Sequence, residues 1–326
     1  MNDAQRRMYE LEYPSPAIRD DYAKEQDTTM VVALKGYADA GLAVESSADH
    51  LQAALENHPL ASFNNDELID YRSRRPAVTL DGAAPVEIEE LELSIKVLRD
   101  LRGKPFLLLS GPEPDLRWEA FTTAVADLVD KYDVDNVIFL YAAPMPVPHT
   151  RPLIVTAHGI SHELVSRMIK MDAKMMVPGS ATMFIEKELT KRGRNVAGYT
   201  AHVPHYLAAS AYPKATLNLL DAVAQSADLQ LPLQALEYDV ANVDAQLEQQ
   251  LSDSDEVATV VHGLERQFDD AWDRYRLEHP QAIMPGEEHA PTGDELSAEF
   301  EKFLASLEEN PGTPGTETGG NGPDIA

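Results

Sequence analysis

The stretch Thr29-Met30-Val31-Val32-Ala33-Leu34-Lys35-Gly36 decides the fold class of this chain. It is a run of apolar, largely β-branched residues that ends at a glycine, which is typical of a strand buried in a sheet. Asp39-Ala40-Gly41 follows, and apolar residues then recur at helical spacing from Val44 to Leu55. A buried strand, a turn and an amphipathic helix in this order predict the opening unit of an α/β fold.

The same alternation of strands and helices continues along the chain. Continuous apolar runs predict buried strands at 105–110 and 136–141, and weaker patterns predict strands at 153–157 and 195–202. Residues 91–101 alternate apolar and polar side chains, which predicts a half-exposed antiparallel strand. Helices are predicted at 116–132, 161–170, 181–192 and 206–227, the last with an interruption or a fresh start near Pro213. We therefore expect a three-layer α/β/α fold with a mixed, mostly parallel sheet.

The chain changes character after Pro232, where helical spacing continues at 240–251 and 256–278 without any strand pattern. We expect an α/β core at 1–238 and a helical extension at 239–282, packed on the core or on a neighbouring subunit. Residues 283–326 are then an acidic linker, a further amphipathic helix at 293–309 and a tail whose Gly, Pro and Thr content predicts disorder.

The composition excludes several classes of function. The 326 residues carry a formal charge of -28, of which residues 239–326 contribute 21 acidic and 4 basic side chains. A negative field of this size opposes contact with nucleic acid and with anionic membranes. No apolar run is long enough to span a membrane, and the first ten residues lack a secretory signal. The absence of cysteine excludes disulfides, so we expect a cytoplasmic protein.

Three short motifs gather arginine, histidine and proline in this acidic chain: YRSRRP at 71–76, PHTRP at 148–152 and HVPHY at 202–206. Guanidinium groups form forked hydrogen bonds with carboxylates or phosphates, so these motifs predict a place that holds an anion or a partner's carboxylate. If 71–76 is extended, Arg72 and Arg74 share one face. An equal alternative is that the arginines form structural bridges with Asp39, Glu113 or Asp115. The candidate site residues are Asp39, Arg72, Arg74, Arg75, Glu113, His149, Arg151, His202 and His205.

Other kinds of active site have little support. His158 and His162 are four residues apart, but Gly159 favours a helix that begins after His158, so we expect no metal site. His202 and His205 are expected to satisfy backbone groups. The GxSxG serine motif is missing, and Ser110, at the end of a predicted strand, is expected to cap the turn into Gly111. Phosphate-binding loops are also missing, and we expect no cofactor.

Five segments together resemble the actinobacterial branch of the PAC2 family, which is named for its similarity to a proteasome assembly chaperone. These segments are GYADAG at 36–41, YRSRRP at 71–76, GPEPDLRW at 111–118, PHTRP at 148–152 and HVPHY at 202–206. The resemblance covers about residues 29–275. It implies a phosphorylase/hydrolase-like fold and a homo-oligomer, with a trimer expected, and it carries over no catalytic residue.

Chaperone members of that family bind proteasome α-type subunits through a tail that ends in a hydrophobic residue, a tyrosine and one further residue. This sequence ends in Asp324-Ile325-Ala326, so docking through such a tail is not expected. Our main hypothesis is a non-enzymatic, PAC2-like assembly factor that associates with itself and binds other proteins, including those of proteasome-like assemblies.

Two alternatives remain. One is a phosphorylase/hydrolase-like enzyme or small-anion binder, and the other is an oligomer whose motifs serve only its interfaces. The pocket of the enzyme alternative would be built from Asp39, Arg72, Arg74, Glu113, His149 and Arg151.

Overall fold

The computed structural model of the protein describes residues 8–18, 27–166, 168–170 and 174–279. Its strands form a large sheet, in the order β1-β3-β6-β7-β2-β8-β11-β9-β10, and a separate hairpin of β4 and β5. The strands are β1 (Tyr9–Leu11), β2 (Thr29–Lys35), β3 (Asn57–Phe63), β4 (Val78–Asp81), β5 (Ala84–Ile88), β6 (Ser94–Arg99), β7 (Pro105–Pro112), β8 (Asn136–Met145), β9 (Val155–Gly159), β10 (Ile169–Lys170) and β11 (Asn195–Pro204).

Four parallel strands form the centre of the large sheet. Strand β2 lies between β7 and β8, and β8 pairs with β11 over the whole length of both strands. The continuous apolar runs of these strands are explained by helices on both faces, since neither face is free to carry polar side chains. Val31 and Ile138 pack on one face, whereas Val32 and Phe139 pack on the other.

Antiparallel strands flank this centre on both sides. Strand β6 runs antiparallel to β7 and to β3, and β9 runs antiparallel to β11. The predicted antiparallel strand at 91–101 is therefore confirmed, but its half-exposed character is wrong. Ser94, Ile95, Val97 and Leu98 are all buried, because both faces of β6 lie within the sheet's packed layers.

The helices lie on both faces of the sheet, so the predicted three-layer α/β/α fold is confirmed. Helices α1, α6 and α7 contribute to the core on one face, and α3 and α5 contribute to the core on the other. The helices are α1 (Ala43–Ala54), α2 (Asn65–Leu68), α3 (Trp118–Lys131), α4 (His162–Val165), α5 (Ala181–Lys191), α6 (Pro213–Ala227), α7 (Gln234–Ser252) and α8 (Asp255–Glu278).

Two of the predicted helices differ in the structure. The helix predicted at 161–170 is only the single turn α4, after which Ile169 and Lys170 pair as β10 with Thr156 and Ala157. The edge of β9 would otherwise have unpaired backbone groups, and β10 forms backbone hydrogen bonds with them. The helix predicted at 206–227 is a 3-10 turn at His205–Leu207 followed by α6, which begins at Pro213 as expected for a fresh start.

The C-terminal helices α7 and α8 follow the core without further strands in the described residues. Leu236 and Leu247 of α7 are buried in the same core as residues of α1 and α6, and α8 buries Val261, Phe268 and Trp272. The predicted boundary at residue 239 lies inside α7. The predicted linker, helix and tail of 283–326 lie outside the described residues. Within the described ranges, none of the helices combines the length and the apolar character that crossing a bilayer requires.

Candidate functional site

All three Arg/His motifs lie at one edge of the large sheet, where the parallel strands end. The 71–76 segment contacts the end of β2 through Arg74, the 148–152 segment follows β8, and 202–206 contains the end of β11. At this edge β2 continues into α1 on one face, while the neighbouring β7 continues into α3 on the other. Two adjacent parallel strands whose connections diverge in this way leave a crevice, and such crevices bind ligands in open α/β sheets.

A cleft of about 1050 Å³ occupies this point of divergence. The ends of β2 and β7, one face of α1 from Glu45 to Ala53 and the segments on either side of the β4–β5 hairpin form its walls. Of the nine candidate residues, Arg74, Arg75 and Glu113 line it. The lining residues are Ala33, Lys35, Gly36, Tyr37, Glu45, Ala48, Asp49, Gln52, Ala53, Arg74, Arg75, Glu89, Glu90, Leu91, Glu92, Ser110, Gly111, Pro112 and Glu113.

The two acidic candidates act first as helix caps. The Asp39 carboxylate accepts hydrogen bonds from the backbone N–H groups of Val44 (2.7 Å) and Glu45 (3.2 Å), at the beginning of α1. Burial raises the pKa of Asp39 above its usual value in spite of these bonds. The buried Glu113 carboxylate accepts a 2.6 Å hydrogen bond from the N–H of Ala181, the first residue of α5. Both carboxylates therefore satisfy helix N-termini that would otherwise keep free N–H groups.

The 71–76 motif is a turn, so the extended conformation considered for it is wrong. Asp70 accepts the backbone N–H of Arg72 with its carboxylate, and those of Ser73 and Arg74 with its carbonyl, which closes the chain on itself. Arg74 then donates to Asp115 (3.1 Å) and to the carbonyl of Lys35 (3.4 Å). The pair with Asp115 agrees with the structural-bridge alternative.

Arg72 and Arg75 of the same motif differ from Arg74, because both side chains are exposed. They stand immediately before the β4–β5 hairpin, and Arg75 also lines the cleft.

The other two motifs contact each other directly. The hydroxyl of Tyr206 accepts the backbone N–H of His149 (2.9 Å) and lies 2.7 Å from Nδ1 of the same residue. The hydroxyl proton is then free to bond Nδ1, so the neutral imidazole carries its own proton on Nε2. That buried Nε2 has no hydrogen-bond partner among the described residues. Burial, followed by the nearby Lys214 ammonium, holds the pKa of His149 below its usual value.

Among the described residues, no hydrogen bond joins the rings of His202 and His205 to a backbone group, contrary to the prediction. Nε2 of His202 lies 3.1 Å from the hydroxyl of Thr156 on β9, and burial lowers the pKa of His202 to about 4. His205 is exposed and packs its ring edge against Tyr206. His158 lies on β9 before α4, as predicted, and contacts Glu186 at 3.1 Å.

The guanidinium group of Arg151 forms hydrogen bonds with two acidic residues of α8. Its Nε and Nη2 donate to the two carboxylate oxygens of Asp269 at 2.8 and 2.7 Å, and Nη1 donates to Glu265 at 3.2 Å. Thr150 adds a 2.5 Å hydrogen bond to Glu265. None of the partners predicted for Arg151 is used, and the forked pair instead holds α8 against the 148–152 loop.

Six of the nine candidates thus fall into two groups that share an edge but not a cavity. Arg74, Arg75 and Glu113 line the cleft over β2 and β7. His149, Arg151 and His202 lie beneath α8, near the ends of β8 and β11. Among the described residues, no three His, Cys, Asp or Glu side chains come together as a metal site would require.

The model of the PAC2 family matches residues 33–251, which include both groups. This chain belongs to the PAC2 family. Two similar structures, of proteins of unknown function, come from Corynebacterium glutamicum (55% identity, TM-score 0.79, 83% of this chain and 100% of that one) and Mycobacterium tuberculosis (45%, 0.78, 82% and 92%). A Mycobacterium tuberculosis proteasome-assembly chaperone homologue is 25% identical, with a TM-score of 0.65 over 72% of this chain and 100% of that one. No curated protein matches the chain.

One feature of this PAC2 chain at the mouth of the cleft was not predicted from its sequence. The hairpin of β4 and β5 is joined to the cleft walls by Arg75 on one side and by Glu89 on the other. Its signal is present in the sequence, since Val78-Thr79-Leu80 and Val86-Glu87-Ile88 alternate around Asp81-Gly82. Asp81 pairs with Ala84, so Gly82 and Ala83 form a two-residue loop, and Gly82 adopts the positive φ of 61° that the first position of such a turn needs.

Proposed function

We propose that this PAC2 protein is a non-enzymatic assembly factor that associates with copies of itself and binds other proteins. One observation carries the proposal: every residue of β4 and β5 is exposed, although the two strands carry large apolar side chains. The exposed fractions are 48% for Val78, 67% for Leu80, 60% for Val86 and 60% for Ile88. We call these four side chains the hairpin face.

The hairpin face has the character of an interface. Val78 pairs directly with Ile88, and in both strands the apolar side chains alternate with the polar pair Thr79 and Glu87. A two-stranded hairpin is only marginally stable in water without a further surface to pack on. No described residue of the same chain buries this face. A contiguous exposed apolar surface of this kind marks a contact with another protein.

The surroundings of the hairpin also favour contact with a second copy. Arg72 and Arg75 are exposed beside it, and the chain offers 55 acidic side chains as partners against 27 basic ones. We infer a homotrimer, which the family resemblance implies, held by apolar contacts that overcome the repulsion between chains of charge -28.

We also infer a cytoplasmic location, which the absence of cysteine supports. Partners of the proteasome-like class are proposed because a family member 25% identical to this chain is a proteasome-assembly chaperone homologue.

Polar substitution of the hairpin face should dissociate the oligomer. We expect the double variant Leu80→Ser, Val86→Ser to sediment as a monomer at concentrations where the wild-type chain sediments as a trimer. The melting temperature of the monomeric fold should change little, because the substituted side chains are exposed and outside the core. Sedimentation equilibrium of the full chain measures this.

The matched control is the double variant Thr79→Ser, Glu87→Gln, which alters the polar residues of the same strands. It should keep the wild-type mass. A wild-type chain that is monomeric at all accessible concentrations, or a Leu80→Ser, Val86→Ser variant that stays trimeric, would contradict the proposal.

A further inference from the structure

Apart from Arg75, the residues that line the cleft at the ends of β2 and β7 have no part in the self-association proposed above. We propose that it is a binding site for an organic cation, an ammonium or guanidinium group carried by a small molecule or by a basic side chain of a peptide. Three observations support this assignment: a hydroxyl on the cleft floor that has no partner among the described residues, an excess of carboxylates, and the position and size of the cleft.

This hydroxyl belongs to Ser110, a residue that is only 4% exposed and lines the cleft. Ser110 lies beside Ala33 in the register of β7 and β2, so both side chains point to the α1 face, where the cleft is. Ser94, its partner on β6, donates its own hydroxyl to Glu92 at 2.8 Å. The Ser110 hydroxyl has no hydrogen-bond partner among the described residues. The prediction that it caps the turn into Gly111 is therefore wrong. Its oxygen is not one of the fully enclosed polar atoms that lack a partner, so the hydroxyl opens into the cleft, where it can form a hydrogen bond with a ligand.

The side chains of the cleft carry an excess of negative charge. Six carboxylates and three cations line it, which makes it unsuited to the small anion considered from the sequence. The carboxylates are Glu45, Asp49, Glu89, Glu90, Glu92 and Glu113, and the cations are Lys35, Arg74 and Arg75.

Several of these charged side chains already form ion pairs or hydrogen bonds within the protein. Lys35 pairs with Glu45 at 2.5 Å, Glu92 accepts from Lys96 at 2.9 Å, and Arg74 pairs with Asp115 outside the cleft. Glu89 and Glu113 accept backbone N–H groups.

Asp49 and Glu90 remain available for a ligand, because the described residues offer them neither an ion pair nor a hydrogen bond. Burial, together with the neighbouring Glu45 carboxylate, raises the pKa of Asp49 above its usual value. A bound cation would relieve both effects, since it replaces lost hydration and offsets the like charge.

The position and size of the cleft also fit a ligand site. It lies at the divergence of β2 and β7, and its volume of about 1050 Å³ is at the upper end of the range of small-molecule pockets. An extended cation can therefore reach Ser110 on the floor while it contacts Asp49 and Glu90 on the walls.

Calorimetric titration of the full chain tests the site with spermidine, with the peptide acetyl-Ala-Lys-Ala-amide and with sodium phosphate. We expect spermidine or the peptide to bind with a one-to-one stoichiometry per chain, and phosphate not to bind. The better of the two cations identifies the source of the ammonium group, and either result supports the site. The absence of binding by both, or binding of phosphate alone, would overturn the proposal.

Three variants separate the site from a general attraction of cations to an acidic protein. Asp49→Asn should weaken binding about tenfold or more, as expected for loss of a charged hydrogen bond, and Ser110→Ala should weaken it about fivefold. The control Asp273→Asn removes the same charge from an exposed position of α8, and it should bind as the wild-type chain does.

Equal weakening by Asp49→Asn and Asp273→Asn, with unchanged binding by Ser110→Ala, would show a nonspecific interaction and end the proposal. Both cleft variants should keep the wild-type melting temperature and solution mass. The cleft is tested by calorimetric binding and the self-association by solution mass, so a failure of one proposal can be distinguished from a failure of the other.

Discussion

Replacement of Gly111 by alanine is expected to lower the free energy of unfolding by about 3–5 kcal/mol, more than typical point substitutions do. Gly111 has a φ of 125°, a backbone conformation that L-residues rarely adopt. A Cβ at this position would overlap the carbonyl oxygen of Glu92 and approach the Cα of Leu93 to 2.8 Å. Because these contacts are backbone atoms, the segment that leads into β6 would have to move away from β7 at the edge of the cleft.

Urea unfolding of Gly111→Ala and of Gly103→Ala separates the cost of the steric overlap from the cost of the positive φ. Gly103 has a positive φ of 82° but open space where its Cβ would lie, so its substitution should cost only about 1 kcal/mol. Equal losses of unfolding free energy for the two variants would contradict the prediction that the close backbone contact at Gly111 adds to the cost.

Acidification should destabilise the protein through His202 between about pH 6.5 and pH 4. Burial lowers the pKa of this imidazole to about 4 in the folded chain, whereas the unfolded chain titrates near 6.5. The unfolded state therefore binds a proton that the folded state does not accept. The stabilising contribution is complete above pH 6.5 and is lost as the pH falls to about 4. The loss amounts to about 3 kcal/mol, from 1.36 kcal/mol per unit of pKa difference.

The variant His202→Gln keeps a polar group beside Thr156 but cannot titrate. We expect the free energy of unfolding of the wild-type chain to fall by about 3 kcal/mol more than that of His202→Gln between pH 7 and pH 4. The matched control is His205→Gln, an exposed position in the same motif, which should follow the wild-type pH dependence. Parallel pH profiles for the wild-type chain and His202→Gln would contradict the assignment.

The central strands and most helices could be predicted from the sequence because their patterns are local. The apolar runs of β2, β7 and β8 and the helical spacing of α1 and α3 need no knowledge of distant residues. Strand β3 was missed because His58 and Pro59 interrupt its apolar pattern, and its strand structure depends on pairing with β6 and β1. The end of α4 was missed for a similar reason: the helical spacing continues to residue 170, but residues 169 and 170 pair with β9 as strand β10.

The candidate site was predictable as a region but not as a set of contacts. Strand ends of a parallel sheet share one edge, so the motifs at the ends of β8 and β11 had to lie near each other. The 71–76 motif follows α2 instead, and no local pattern indicates that Arg74 reaches the end of β2. The forked pair of Arg151 with Asp269 joins residues 118 positions apart, and no local pattern indicates it. The deep burial of Ser110 likewise depends on α1 and β6, which pack around it from distant parts of the sequence.

Amide hydrogen exchange of the hairpin tests most directly whether another chain covers the hairpin face. The full-length wild-type chain is compared at a concentration where sedimentation shows an oligomer and at one where it shows a monomer. We expect the amides of β4 and β5 to exchange markedly more slowly in the oligomer, because burial of the hairpin face suppresses local opening. Equally fast exchange of these amides in both samples would contradict the account.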